Sequence, residues 1–213
     1  MKIELDYLES QLQKRLPYHY HWGRKQNNNW DNYTSFIYET PNWDQFIESL
    51  KKAYQSLQVD KLELFNYAAN RWFNFWSAMG VETIFKEDIN VHPVENAKDN
   101  VKDFLLYNIP FDHKTSIFPR GFKKPFEYAK ANKEELINWL YQNQSKQQRY
   151  HLKNRLFVIV YNKDGQHWKL KAELGLLKKE IEKYLANFNP NQLHSFNFDK
   201  NYTTFSDIIW VTR

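Results

Sequence analysis

The run KDFLLYNIPFDHKTSI, residues 102 to 117, leaves a chain few ways to fold. Apolar residues flank Tyr107-Asn108 on both sides. A two-residue link of this kind, with an Asn that tolerates positive φ, marks a β-hairpin. With that turn Leu106 pairs with Ile109, Leu105 with Pro110, Phe104 with Phe111 and Asp103 with Asp112. Phe104, Leu106, Ile109 and Phe111 then point to the core side, while Asp103, Asp112 and Lys114 gather on the other face. Directly opposed Cβ atoms lie about 4.5–5.5 Å apart, so the two carboxylates repel unless something compensates them.

A hard divalent cation is one such compensation. Mg²⁺ is held by one or two carboxylates plus waters and substrate phosphate oxygens, and it activates both the phosphoryl group and a nucleophilic water. Lys114 beside it could orient or deprotonate that water, or stabilise charge building on the phosphate. The competing account is a solvated hairpin end carrying an Asp to Lys ion pair.

The segments around the hairpin set a fold class. MKIELDYLESQLQKRL spaces Ile3, Leu5, Leu8, Leu12 and Leu16 as an amphipathic helix over about residues 2 to 15, unlike a signal peptide. An irregular basic and aromatic stretch follows, then a helix from about Asn42 to Leu57 with Asn42 as its N-cap. Asp60 caps a long helix in which Leu64, Ala68, Trp72, Phe75 and Met79 recur at helical spacing, and Gly80 is placed to end it. VETIF and NVHPV read as short strands before the hairpin. NKEELINWLYQNQSK reads as a helix, and RLFVIVYN as a strand buried on both faces. A helix from Trp168 to Phe188, a polar connection and the strand DIIWVT complete the chain.

The spacing of Asp103, eight residues, then Asp112-His113-Lys114 resembles the signature of the PD-(D/E)xK nuclease superfamily, which includes type II restriction endonucleases. The resemblance implies an α/β restriction-endonuclease-like core: a helix, a three-stranded antiparallel unit, a helix and a strand. Residues 61 to 162 present these in order, with a helical extension at 1 to 60 and a helix and strand at 163 to 213, all in one domain. It further implies Mg²⁺ (or Mn²⁺) bound by Asp103, Asp112 and the main-chain carbonyl of His113, Lys114 as catalytic lysine, and hydrolysis of phosphodiester bonds, with DNA the expected substrate. The rival functions are a fold relative that binds nucleic acid without cutting it, and a protein interaction module.

Two positions depart from that pattern. Lys102 stands where many members have Pro, and the acidic residue many members carry on the first helix is not obvious. Glu63 and Asn70 are candidate accessory groups, although Asn66, Asn70 and Asn74 also form the stripe of a solvated helix face. Glu82 and Glu95 are further acidic candidates. Arg120, Lys123 and Lys124, in the loop TSIFPRGFKKPF, are placed to grip a phosphate backbone, or form an ordinary basic loop with Phe118 and Phe122 tucked into the core. Gln148, Arg149, Lys153 and Arg155 lie near the end of the second core helix, a position that basic residues also favour for dipole reasons. Tyr18 to Asn32 mixes cations, asparagines and aromatics suited to stacking on bases. His19 and His21 lack a third ligand and read as loop residues.

Composition narrows the partners. With no cysteine, disulfide frameworks, thiolate metal sites and cysteine nucleophiles are excluded, and a cytoplasmic location is expected. No apolar run is long enough for a membrane span. A net charge of +5 suits a polyanionic partner without requiring one. With 8 Trp, 14 Tyr and 16 Phe, aromatic packing replaces much of the usual aliphatic core. Cutting both strands of a duplex often uses two sites, so a homodimer is a further possibility.

Overall fold

A computed structural model describes residues 3–93, 102–143, 153–199 and 202–213. The chain divides into two compact units, one of residues 1–80 with 171–175 and one of residues 81–170 with 176–213.

The first unit is helical. α1 (Leu5–Gln13) buries Leu8 and Leu12, and α2 (Asn28–Tyr33) lies within the stretch expected to be irregular. α3 (Trp43–Ser56) is capped as expected, with the Asn42 Oδ1 accepting the Gln45 N–H at 3.0 Å. α4 (Lys61–Lys86) begins with the Asp60 Oδ1 accepting the Glu63 N–H at 2.8 Å. Its aromatic residues meet those of α3: the Trp72 ring lies 5.1 Å from Trp43 and 5.4 Å from Phe46.

Contrary to the expectation, α4 does not stop at Gly80, and VETIF is its last turn and a half instead of a strand. Val81, Ile84 and Phe85 are all buried, and their i, i+3, i+4 spacing continues the helical stripe. Gly80 serves packing. A Cβ there would stand 2.9 Å from a Leu174 methyl and 3.2 Å from one of Leu8.

The second unit is a mixed six-stranded open sheet with helices. β1 (Val91–Pro93), β2 (Phe104–Leu106), β3 (Ile109–Ile117), β4 (Arg155–Tyr161), β5 (His194–Asp199) and β6 (Tyr202–Thr212) lie in the order β1-β2-β3-β4-β6-β5. β1, β2 and β3 are antiparallel neighbours, β4 is parallel to β3 and to β6, and β5 runs antiparallel to β6. The hairpin turn forms as read, with Tyr107 at φ 48° and Asn108 at φ 66°.

α5 (Phe126–Ala131), which sequence spacing did not reveal, and α6 (Lys133–Asn143) cover one face through Phe126, Leu136, Ile137 and Leu140 against Phe157, Ile159 and Ile208. The helix expected from Trp168 is broken: a 3-10 segment, His167–Ala172, precedes α7 (Leu174–Ala186). Within the first unit the Glu9 carboxylate accepts the Gly175 N–H at 2.7 Å, a cap supplied from 166 positions away. β5 lies in what reads as a polar connection. Its alternation of Phe196 and Phe198, stacked 5.4 Å apart, is a strand period hidden by polar neighbours.

Candidate active site

Asp112 and Lys114 alternate with Phe111 and His113 along β3, so they share one face. The ladder between β3 and β4 sets Asp112 beside Arg155 and Lys114 beside Phe157. Arg155 grips Asp112 from there, with Nε 2.6 Å and Nη2 2.5 Å from its Oδ2. Asn154, only 5% exposed, locks that register. Its carbonyl accepts the Asp112 N–H at 3.0 Å, its Nδ2 donates to the Pro110 carbonyl at 3.0 Å, and its Oδ1 accepts the Phe205 N–H at 2.8 Å.

Asp103 is where the sequence reading needs correction. The regular pairing ends at Phe104 and Phe111, and the Asp103 N–H donates to the Phe111 carbonyl at 2.9 Å, so the expected Asp103–Asp112 rung does not form. The two carboxylates still interact, but Asp103 sits at the edge of β3. Its Oδ2 accepts the His113 N–H at 2.8 Å and lies 2.7 Å from the His113 Nδ1. The imidazole packs near Phe85 and Phe104, with ring centroids 5.6 and 6.2 Å away.

The electrostatics follow from this crowding. Burial works against the Asp103 carboxylate, but His113 outweighs it through hydrogen bonds and charge, and the Asp103 pKa falls below its ordinary value. Asp112 moves the other way. Burial and the charge of Asp103 raise it in spite of Arg155. Burial disfavours the His113 imidazolium, yet Asp103, Asp112 and Glu82 together raise its pKa. Lys114 is lowered, by burial and then by the positive charge of Arg155.

The donor set suits a hard cation. Since the Asp112 N–H turns toward β4, the main chain of His113 turns toward the opposite edge, where Asp103 lies. Two carboxylates and the His113 carbonyl offer oxygen only, and the His113 ring is already engaged with Asp103. Among the described residues no three His, Asp or Glu side chains form a metal-holding group. A cation here would therefore depend on water or phosphate oxygens for its remaining ligands, which Mg²⁺ accepts.

The other candidates are placed as follows. Arg120, Lys123 and Lys124 are exposed while Phe118 and Phe122 are buried in the core. Lys114 to Ile117 spans about 10 Å of strand, which sets the distance from Lys114 to the start of this loop. Glu82 acts on His113 through its charge and is paired with Lys86. Glu63 pairs with Arg24 in the first unit at 2.6 Å. Asn70 is no solvated stripe residue. It is 0% exposed, accepting from Arg15 at 2.7 Å and donating to the His21 carbonyl at 2.8 Å. Gln148, Arg149 and Glu95 lie outside the described residues.

Sequence reasoning missed the Arg155 grip, the His113 ring and Asn154. No local signal carries a parallel register between strands far apart in sequence. The polar Asn154 directly before an apolar strand was the one available hint. Compared with protein-family models, characterised proteins and solved structures, the chain matches none.

Proposed function

We propose that the chain is a metal-dependent nuclease with a restriction-endonuclease-like core, hydrolysing phosphodiester bonds in DNA. The observation that carries the reading is the placement of Asp112 and Lys114 on one face of β3 with Asp103 at its edge. The order of α4, the antiparallel β1-β2-β3 unit, α6 and a β4 parallel to β3 also supports it. Asp103, Asp112 and the His113 carbonyl would hold Mg²⁺ or Mn²⁺. When bound, such an ion polarises a phosphoryl oxygen and makes bound water more acidic.

The side chains divide the remaining work. His113 holds the Asp103 carboxylate in place through both its main chain and its ring. Lys114, with a lowered pKa, can exchange a proton near the attacking water, and in its charged form it stabilises the phosphate. Arg120, Lys123 and Lys124 contribute phosphate contacts along the substrate.

One observation favours a second reading. The Arg155–Asp112 ion pair already neutralises a would-be metal ligand, which suits a relative that binds nucleic acid with no metal at Asp103 and Asp112. Incubation of supercoiled and single-stranded DNA with the wild-type protein and Mg²⁺, against Asp112→Asn and Lys114→Met, separates the two. Cleavage that needs Mg²⁺ and both side chains supports the nuclease. Salt-sensitive binding without any cleavage establishes the binder.

A further inference from the structure

Arg155 is the cation the hairpin motif does not ask for. It enters from β4, only 13% exposed at its side chain, and both contacts to Asp112 fall on the single oxygen Oδ2. Its guanidinium lies 5.7 Å from the rings of Tyr141 and Phe157. Tyr141 is anchored by donating its hydroxyl to the Lys153 carbonyl at 2.7 Å. Aromatic faces steady a guanidinium without using its N–H groups, and the planar fork of arginine fits phosphate as well as carboxylate.

The charge count gives this arrangement a direction. Asp103 and Asp112 are the two carboxylates, and Lys114, Arg155 and the His113 imidazole on Asp103 oppose them. A dication arriving alone would enter a cluster whose carboxylates already have partners, and would have to compete with Arg155 for Asp112. Arriving with a phosphodiester, it brings an anion that can receive the displaced guanidinium.

We propose that Arg155 is a displaceable counterion, which holds Asp112 until a divalent cation and a phosphodiester bind together and then turns from the carboxylate to the phosphate. The inference rests on the nuclease reading and adds to it a residue that couples metal to substrate. By linkage the coupling is reciprocal: the oligonucleotide tightens the metal by the factor by which the metal tightens the oligonucleotide.

Mn²⁺ binding, read from the paramagnetic resonance signal of the free ion, tests this without a turnover assay. The titration is run at constant ionic strength, with and without a phosphorothioate DNA duplex that resists cutting. Wild-type protein should bind Mn²⁺ weakly alone and about 10-fold or more tightly with the duplex. Arg155→Gln should tighten Mn²⁺ alone by about 5-fold and shrink the enhancement by the duplex to less than about 3-fold. Arg155→Lys, which keeps the charge and loses the fork, should fall between them and decides the matter if Arg155→Gln fails to fold by circular dichroism. Unchanged or weaker Mn²⁺ binding in these variants, with wild-type coupling intact, overturns the role of Arg155 and leaves the nuclease reading standing. Wild-type protein that ignores Mn²⁺ even with the duplex present overturns both.

Discussion

Each unit of this protein holds an arginine largely out of solvent, and the two are partnered in different ways. Arg15, 0% exposed, donates from its two Nη groups to the carbonyls of Tyr18 and His19 at 2.7 and 2.8 Å and to the Asn70 amide oxygen at 2.7 Å. Burial lowers its pKa to about 10. Arg155 instead faces the carboxylate of Asp112, with a second carboxylate and the competing cation Lys114 nearby. These carbonyl and amide contacts tie residues 18 to 21 to α4. Under the proposed role of Arg155, the ionic cluster around it has a different property, rearrangement when a divalent cation and a phosphodiester bind together. On that proposal a structural arginine and an exchangeable one differ in what accepts their hydrogen bonds.

The widest separation between the two regions should appear in activity. On the proposed nuclease reading, Asp112→Asn and Lys114→Met each lower DNA cleavage on the order of 10³-fold while the protein remains folded. Asn70→Ala should leave cleavage per folded molecule unchanged. A loss of activity in Asn70→Ala without loss of folded protein would break the comparison.

The second effect is on stability and has the opposite pattern. Asn70→Ala removes one acceptor from a buried guanidinium, a change that costs about 3 kcal/mol and lowers the unfolding midpoint by roughly 6–12 °C, read by calorimetry. Gly80→Ala follows, since its Cβ would press on Leu174 and Leu8. Overpacking of this kind costs about 1–3 kcal/mol, read from the urea midpoint.

The smallest effect is a pH dependence. The pKa of His113 is raised in the folded protein, so the stability it contributes is fully present below its ordinary value of about 6.5 and is lost as pH rises through the folded value. Asp103 is depressed, so its contribution is present above the ordinary carboxylate range and lost as pH falls. The wild-type melting temperature should therefore decline by a few degrees as pH is raised from about 6 past the folded pKa of His113. His113→Gln should lack that slope, and an equal slope in both proteins would show that the imidazole does not carry it.

How much of this was legible in the sequence varies with the range of the interaction. The hairpin, its turn at Tyr107-Asn108 and the sharing of a face by Asp112 and Lys114 are local consequences of alternation, and they appear in the structure as read. The caps at Asn42 and Asp60 are local too. Errors enter where a residue answers to something distant. Gly80 reads as a helix stop, but it is small because Leu174 and Leu8 need the space. Asn70 reads as solvated until Arg15 is brought to it across 55 positions. Arg155 reads as one more base near a helix end until the parallel ladder sets it on Asp112, 43 positions away.

Crystals of the protein with a phosphorothioate DNA duplex, soaked in Mn²⁺ and measured at the manganese absorption edge, test the central claim most directly. The account predicts one anomalous peak about 2.0–2.2 Å from carboxylate oxygens of Asp103 and Asp112 and from the His113 carbonyl, with the Arg155 guanidinium moved off Asp112. Bound DNA with no peak at that position and the Arg155–Asp112 pair intact would contradict it.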